Sequence, residues 1–175
     1  MPSSFSKTCY VILSAILLTT TFAFGKNGFY LKNSTVPVSD IHSGGPPKDG
    51  IPSIDDPQFL TPTSGVYLNN DDQVIGVSMN GVSKAYPLRI LVWHEIVNDE
   101  IGGLPILVSY CPLCGTSMVF ERNFDGKTLE FGVSGLLYNS DVLMYDRQTD
   151  SLWSQLKMEA ISGKYQGTPL ELLQS

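Results

Sequence analysis

The feature that most constrains this chain is a series of short strand-like runs separated by turn signals, about eight to twelve residues apart. Asn80-Gly81 and Asp125-Gly126 are dipeptides that favour the backbone of a tight hairpin. The predicted strands cover residues 74–78, 82–86, 105–110, 117–122, 128–134, 142–145 and 151–155. This spacing predicts a mainly β fold built as an antiparallel sheet or a small barrel, with α+β as the alternative.

One short helix interrupts the predicted strands. Pro87 suits the first helical position. Apolar residues then recur at helical spacing from Leu88 to Ile96, so a helix is predicted over residues 88–98. Gly102-Gly103 ends the pattern.

Residues 1–25 are typical of a signal peptide. Lys7 precedes an apolar run that starts at Cys9, and Ala23-Phe24-Gly25 supplies the small residues of a cleavage site after Gly25. A retained membrane anchor is the alternative, but the run is short and interrupted by threonine. We therefore expect a periplasmic or extracellular protein with no stable membrane anchor once the signal is removed.

The rest of the chain divides into two parts. Residues 26–63 are rich in Pro, Gly, Ser and Asp, which predicts a segment that wraps over a core, with a disordered spacer as the alternative. Residues 64–175 form the predicted β-rich domain, and a mature chain of about 150 residues suits one core. The chain ends in an apolar segment at 168–173 without a terminal signal, which favours an incomplete domain.

The charge balance excludes two classes of partner. The chain has 11 basic and 17 acidic residues and a net charge of −6, and removing the signal takes away one lysine to leave −7. No cluster of Lys or Arg interrupts this balance. Binding to nucleic acid or to an anionic membrane surface is therefore not expected.

The chemistry is concentrated in the turn Cys111-Pro112-Leu113-Cys114-Gly115. Two cysteines three apart on a tight turn bring their sulfur atoms to the same side, as in the metal-binding knuckles of zinc ribbons. A disulfide across so short a loop would stabilise the fold little, because it removes little chain entropy from the unfolded state. One knuckle supplies half of a four-ligand site, so further ligands must come from elsewhere.

Three residues are candidates for those ligands. His94 lies on the predicted helix beside the strand that leads into the cysteine turn, Met118 follows the turn, and Asp141 ends the Gly-rich run 131–141. Two thiolates with an imidazole and a thioether suit copper as readily as zinc, and iron less well. Each residue also has a purely structural interpretation: His94 as a packing residue, Met118 as core and Asp141 as a turn cap.

The sequence does not identify a reaction, and three functions are compatible with it. The first is an exported metal-binding protein, in which zinc would be structural and copper would serve metal handling or electron transfer. A homodimer could also complete the site from two knuckles. The second is a thiol–disulfide redox protein that uses Cys111 and Cys114. The third is a non-enzymatic interaction domain with an incidental disulfide.

Several blocks of the sequence resemble the DUF3179 domain, a family of unknown function. The blocks are residues 44–52, 93–99, 110–115, 131–141, 144–149 and 151–153. The resemblance implies an exported prokaryotic protein and carries over no activity. Members of that family usually extend beyond the point where this sequence stops, which also favours an incomplete domain.

Overall fold

The computed structural model describes residues 25–61, 63–64 and 67–173. Residues 1–24 of the predicted signal peptide lie outside this part of the chain. The described residues form thirteen strands, one α-helix, α1 (Leu88–Leu91), and 3-10 turns at Lys26–Gly28 and Val38–Asp40. The strands are β1 (Ile41–Ser43), β2 (Ile54–Asp55), β3 (Val74–Met79), β4 (Val82–Pro87), β5 (Ile96–Ile101), β6 (Leu104–Cys111), β7 (Thr116–Glu121), β8 (Asn123–Phe124), β9 (Lys127–Thr128), β10 (Phe131–Tyr138), β11 (Asp141–Asp146), β12 (Leu152–Ser154) and β13 (Glu159–Ser162). In the same described ranges, no helix has the length and apolar character needed to cross a bilayer.

Two open sheets form the body of the protein. The first is antiparallel, with the strand order β1-β10-β11-β12-β13. The second has the order β2-β5-β6-β7, in which β2 runs parallel to β5 and the other neighbours are antiparallel. The predicted mainly β fold with antiparallel sheets and a short helix is confirmed, and the strands form open sheets rather than a closed barrel.

The main core lies between the two sheets. Its largest side chain is Trp153, which is fully buried and lies 4.9 Å from Phe124 and 5.6 Å from Phe131 between ring centroids. Aromatic pairs at these distances add packing energy to the hydrophobic gain from burial. Asn98 of β5 joins the sheets, because its side-chain amide donates to and accepts from the backbone of Phe131, both at 2.8 Å.

Two further layers cover the outer faces of the sheets. Phe29 and Ile41 of the N-terminal segment are buried against the five-stranded sheet. The segment also supplies β1 to that sheet and β2 to the other one. The β3–β4 hairpin and α1 cover the outer face of the four-stranded sheet.

The predicted helix over residues 88–98 is wrong beyond Leu91, since the chain then turns and enters β5 at Ile96. The first four residues of β5 are all buried, because this strand lies between two layers. A strand buried on both faces shows no alternation of apolar and polar residues. Gly102-Gly103 therefore joins two strands rather than ending a helix.

The predicted hairpins are mostly confirmed. Asn80-Gly81 joins β3 to β4, with φ of 49° and 79°. The pair β11 and β12 also matches the prediction. Asp125-Gly126, however, joins only the two-residue strands β8 and β9. The following strand β10 crosses to the five-stranded sheet, where it pairs with β1 and β11 instead of with β7.

Candidate metal site at the cysteine turn

The cysteine turn is a hairpin connection between β6 and β7. Cys111 pairs with Thr116, and the N–H of Gly115 donates to the carbonyl of Cys111 at 2.8 Å to close the turn. Gly115 has φ of 68°, in the left-handed region that other residues rarely adopt. Both cysteines are therefore held at fixed positions by the sheet and the turn.

The turn meets the start of β11. The sulfur atoms of Cys111 and Cys114 and a carboxylate oxygen of Asp141 all lie within 4.8 Å of one another. The Cys114 sulfur is 3.2 Å from Asp141 Oδ1, while Asp141 Oδ2 accepts a hydrogen bond from the N–H of Leu156 at 3.1 Å. Cys111 and Asp141 are each 1 % exposed and Cys114 is exposed, so the cluster opens to solvent on one side.

Burial controls the protonation of the inner thiol. Removal from water, and then the hydrogen bond with the Cys114 thiol, raise the pKa of Cys111 to about 12. The backbone N–H groups of Cys114 and Val142 lower it. Cys111 is therefore a neutral thiol at neutral pH unless a cation replaces its proton.

The donor set narrows the choice of ion. Two sulfur atoms and one carboxylate oxygen are all ligands that Zn²⁺ accepts, with tetrahedral geometry. Copper(I) prefers sulfur and nitrogen donors, and Mg²⁺ and Ca²⁺ prefer oxygen donors alone. The three atoms are thus better suited to zinc than to copper.

His94 lies outside this group. It sits in the turn between α1 and β5, and its Nδ1 is 2.8 Å from the carbonyl oxygen of Pro52. Because a carbonyl only accepts hydrogen bonds, Nδ1 carries a proton and donates it there. The neutral imidazole then has its lone pair on Nε2.

Met118 also lies outside the group. Its side chain is half-buried and packs against the core between the two sheets. Its backbone carbonyl accepts a hydrogen bond from the Ser109 hydroxyl at 3.1 Å. Of the three additional ligands predicted from the sequence, Asp141 joins the cysteines.

Gln155 borders the cluster and was not predicted from the sequence. Its Nε2 donates to the Ser109 hydroxyl oxygen at 3.0 Å and to the Thr116 carbonyl at 3.3 Å. Gln155 directly follows β12, and only the packing of β12 against the β6–β7 hairpin brings it here. No local sequence signal marks it.

Glu95 is a further acidic residue that lies outside the cluster. It adopts φ of 58°, which is unusual for a residue with a side chain, and its carbonyl accepts from the N–H of Tyr110 at the end of the β5–β6 ladder. Burial raises the pKa of Glu95 to about 7. The sequence pattern placed this residue on a helix, and the structure places it in the turn that precedes β5.

An apolar cavity of about 760 Å³ lies at the other side of the four-stranded sheet, between β4, α1 and the segment around Phe59. Lys84 is a charged residue in its lining, and the Lys84 Nζ lies 2.8 Å from Asp99 Oδ2. The Tyr86 hydroxyl donates to the same oxygen at 2.7 Å. The charge of Lys84 is therefore balanced by Asp99 inside the protein.

The fold and the cluster define a mainly β, two-sheet protein with a thiol–carboxylate site at a cysteine turn. Residues 48–175 match the family described as "Protein of unknown function (DUF3179)", and the chain belongs to that family. No curated protein and no solved structure matches the chain. The family description gives no activity.

Proposed function

We propose that the protein binds a zinc ion through the sulfur atoms of Cys111 and Cys114 and the carboxylate of Asp141. The observation that carries the proposal is the convergence of these three donor atoms within 4.8 Å. The thiols come from the β6–β7 turn and the carboxylate from the start of β11. Zinc would therefore link the four-stranded sheet to the five-stranded sheet.

The role of this zinc is structural. An ion bound across the two sheets stabilises the folded state by its binding free energy, because the donors come together only after folding. The position of Cys114 at the surface gives the ion a path to the site. Binding displaces the thiol protons of both cysteines, so zinc affinity should rise with pH.

Elemental analysis tests the proposal. The protein is purified without affinity-metal steps, reduced, incubated with zinc and desalted, alongside Cys111→Ser/Cys114→Ser and Asp125→Asn variants. Asp125 is an exposed acid in a turn with φ of 48°, which Asn tolerates, so it is a matched control. We expect about one zinc per chain in the wild type and in D125N, and none in the double serine variant. A reduced wild type that stays free of zinc overturns the proposal.

The protein is also proposed to work outside the cytoplasm, on the basis of residues 1–25. The residues just after the predicted cleavage site belong to the folded body: Asn27 donates to the carbonyl of Ser134 at 3.1 Å, and Phe29 is 1 % exposed. A cut after Gly25 thus leaves this packing intact. Mass spectrometry of the protein recovered from an exporting host should give Lys26 as the first residue, and a chain that retains Lys7 contradicts export by cleavage.

A second function is favoured by the unequal exposure of the two cysteines. In a thiol–disulfide exchange, exposed Cys114 would attack a partner's disulfide, which forms a mixed disulfide and releases one partner thiol. Cys111 would then attack the Cys114 sulfur and release the second thiol. The chain's dithiol is oxidised and the partner's disulfide is reduced. A Cys111–Cys114 disulfide in equilibrium with glutathione, in a protein that binds no zinc, would establish this function instead.

A further inference from the structure

Gln155 is buried next to the cluster, and half of its amide has no partner. The residue is fully buried, and its Oε1 makes no hydrogen bond with any of the described residues. An unpaired carbonyl oxygen in the protein interior destabilises a protein, because it loses its hydrogen bonds to water and gains none in return. Buried polar atoms of this kind therefore call for a specific explanation, such as a bound ion or a water molecule.

The orientation of the Gln155 amide is fixed by its neighbours. The Ser109 hydroxyl donates its proton to the carbonyl of Met118, so its oxygen can only accept from Gln155. The second neighbour is the carbonyl of Thr116, which also only accepts. Both contacts must be made by Nε2, because a flipped amide would bring oxygen against oxygen. Oε1 is left for a partner of another kind.

Two residues adjacent to Gln155 contact the cluster: Leu156, which follows it in the chain, and Thr116, which accepts a hydrogen bond from its amide. The N–H of Leu156, the next residue, donates to Asp141 Oδ2 at 3.1 Å. The hydroxyl oxygen of Thr116 lies 3.2 Å from the Cys114 sulfur. Ser109 and Cys111 are two residues apart on β6 and so share one face of the strand. The Gln155 side chain is thus connected to the cluster through Thr116, and its backbone is connected to it through Leu156.

We infer that Gln155 Oε1 is the fourth donor of the zinc site formed by Cys111, Cys114 and Asp141. The inference rests on the proposed function. Two sulfur and two oxygen atoms make a four-coordinate set, which is the number that structural zinc sites use. The two hydrogen bonds of Nε2 hold the amide as outer contacts hold a ligand in other metal sites. The ion would then also explain why Oε1 has no partner within the protein.

Cobalt substitution tests the inference, because Co²⁺ reports ligand type and coordination number separately by absorption. The variants are Gln155→Met, which keeps the length of the side chain, Ser162→Ala and His94→Gln. Ser162 is the matched control, since its hydroxyl oxygen is also buried without a partner but lies on β13. We expect Q155M to keep the thiolate-to-cobalt band, to lose the tetrahedral ligand-field spectrum and to bind zinc about 10–100-fold more weakly. S162A and H94Q should match the wild type.

The outcomes distinguish a failure of this inference from a failure of the proposed zinc binding. A wild type without a thiolate-to-cobalt band overturns zinc binding itself. A wild-type spectrum and zinc affinity in Q155M overturn the inference and leave the cysteine site standing. A changed ligand-field spectrum in H94Q assigns the fourth position to the imidazole and also overturns the inference. If Q155M does not fold, Gln155→Glu decides: it keeps an oxygen at the same reach, and loss of the tetrahedral spectrum there counts against Oε1.

Discussion

A buried aspartate lies at each end of β11, and the two differ in the hydrogen-bond donors around them. Asp146, at the end of the strand, is fully buried and accepts hydrogen bonds from the N–H of Thr149 at 2.7 Å, its hydroxyl at 2.8 Å and the Trp153 indole at 3.0 Å. Asp141, at the start, is 1 % exposed and has one N–H donor, from Leu156. Its other oxygen accepts a hydrogen bond from the Cys114 thiol at 3.2 Å.

This difference is the reason why we propose Asp141, and not Asp146, as a metal ligand. A buried carboxylate needs compensation for the water it loses, and Asp146 receives it from three donors supplied by the loop and strand that follow. Besides the Leu156 N–H, Asp141 has two sulfur atoms beside it, and these become negative when they lose their protons. With both thiols deprotonated, three negative groups would meet here, and a divalent cation would balance their charge.

The largest expected effect is at Asp146. Asp146→Ala leaves the buried Trp153 indole N–H and the Thr149 backbone N–H without their acceptor, and we expect the free energy of unfolding to fall by about 3 kcal/mol or more, with and without zinc. Denaturant titration measures it. The control is Asp150→Asn, which removes one side of an exposed ion pair with Lys48 and should change stability by less than about 1 kcal/mol. A large loss of stability that occurs only when zinc is present would contradict the structural role given to Asp146.

The next effect is at Asp141 and depends on zinc. At a free zinc concentration of 100 times Kd, the wild type should gain about 2.7 kcal/mol of stability, and Asp141→Asn should gain far less. Without zinc, D141N should stay within about 1 kcal/mol of the wild type, since its side-chain oxygen can still accept from Leu156. The measurement is denaturant titration with zinc and with chelator. Equal stabilisation of both proteins by zinc would remove Asp141 from the site.

The smallest expected effect is at Glu95, where burial raises the pKa of the side chain. The folded state raises the pKa of Glu95 from 4.5 to about 7, so it binds the proton more tightly than the unfolded state does. Its contribution to stability is therefore most favourable below pH 4.5 and declines as the pH rises towards 7. Glu95→Gln should raise Tm at pH 8 and leave it unchanged at pH 4. The same Tm difference at both pH values would contradict this assignment.

Local signals in the sequence predict much of the fold. The Asn80-Gly81 hairpin follows from the backbone preference of two residues, and the structure confirms it. β5 was missed because its burial on both faces removes the alternation that marks a strand. The partner of β10 was also missed. The Asp125-Gly126 turn predicts β7 as the partner of this strand. In the structure, the Asn98 side chain instead hydrogen-bonds to the backbone of Phe131, the first residue of β10, and so holds it between the two sheets.

The candidate site likewise contains some residues that the sequence predicts and others that it does not. The two cysteines form a local motif that is visible in the sequence, and the sequence also predicts Asp141 as a candidate ligand. The predicted helix would place His94 beside the strand that leads to Cys111, but the helix ends at Leu91. Gln155 carries no signal, because its position depends on the packing of one sheet on another.

The pairing of the N-terminal segment also sets the order in which the fold can be completed. β1 hydrogen-bonds to β10, and Asp49 accepts a hydrogen bond from the Tyr145 hydroxyl, 96 residues further along the chain. A growing chain releases its first strand long before the partner of that strand exists. Distant pairings of this kind slow folding, typically to milliseconds or seconds, because the intervening loop must close first. Until β10 and β11 appear, β1 is an unpaired edge that a holding chaperone could shield.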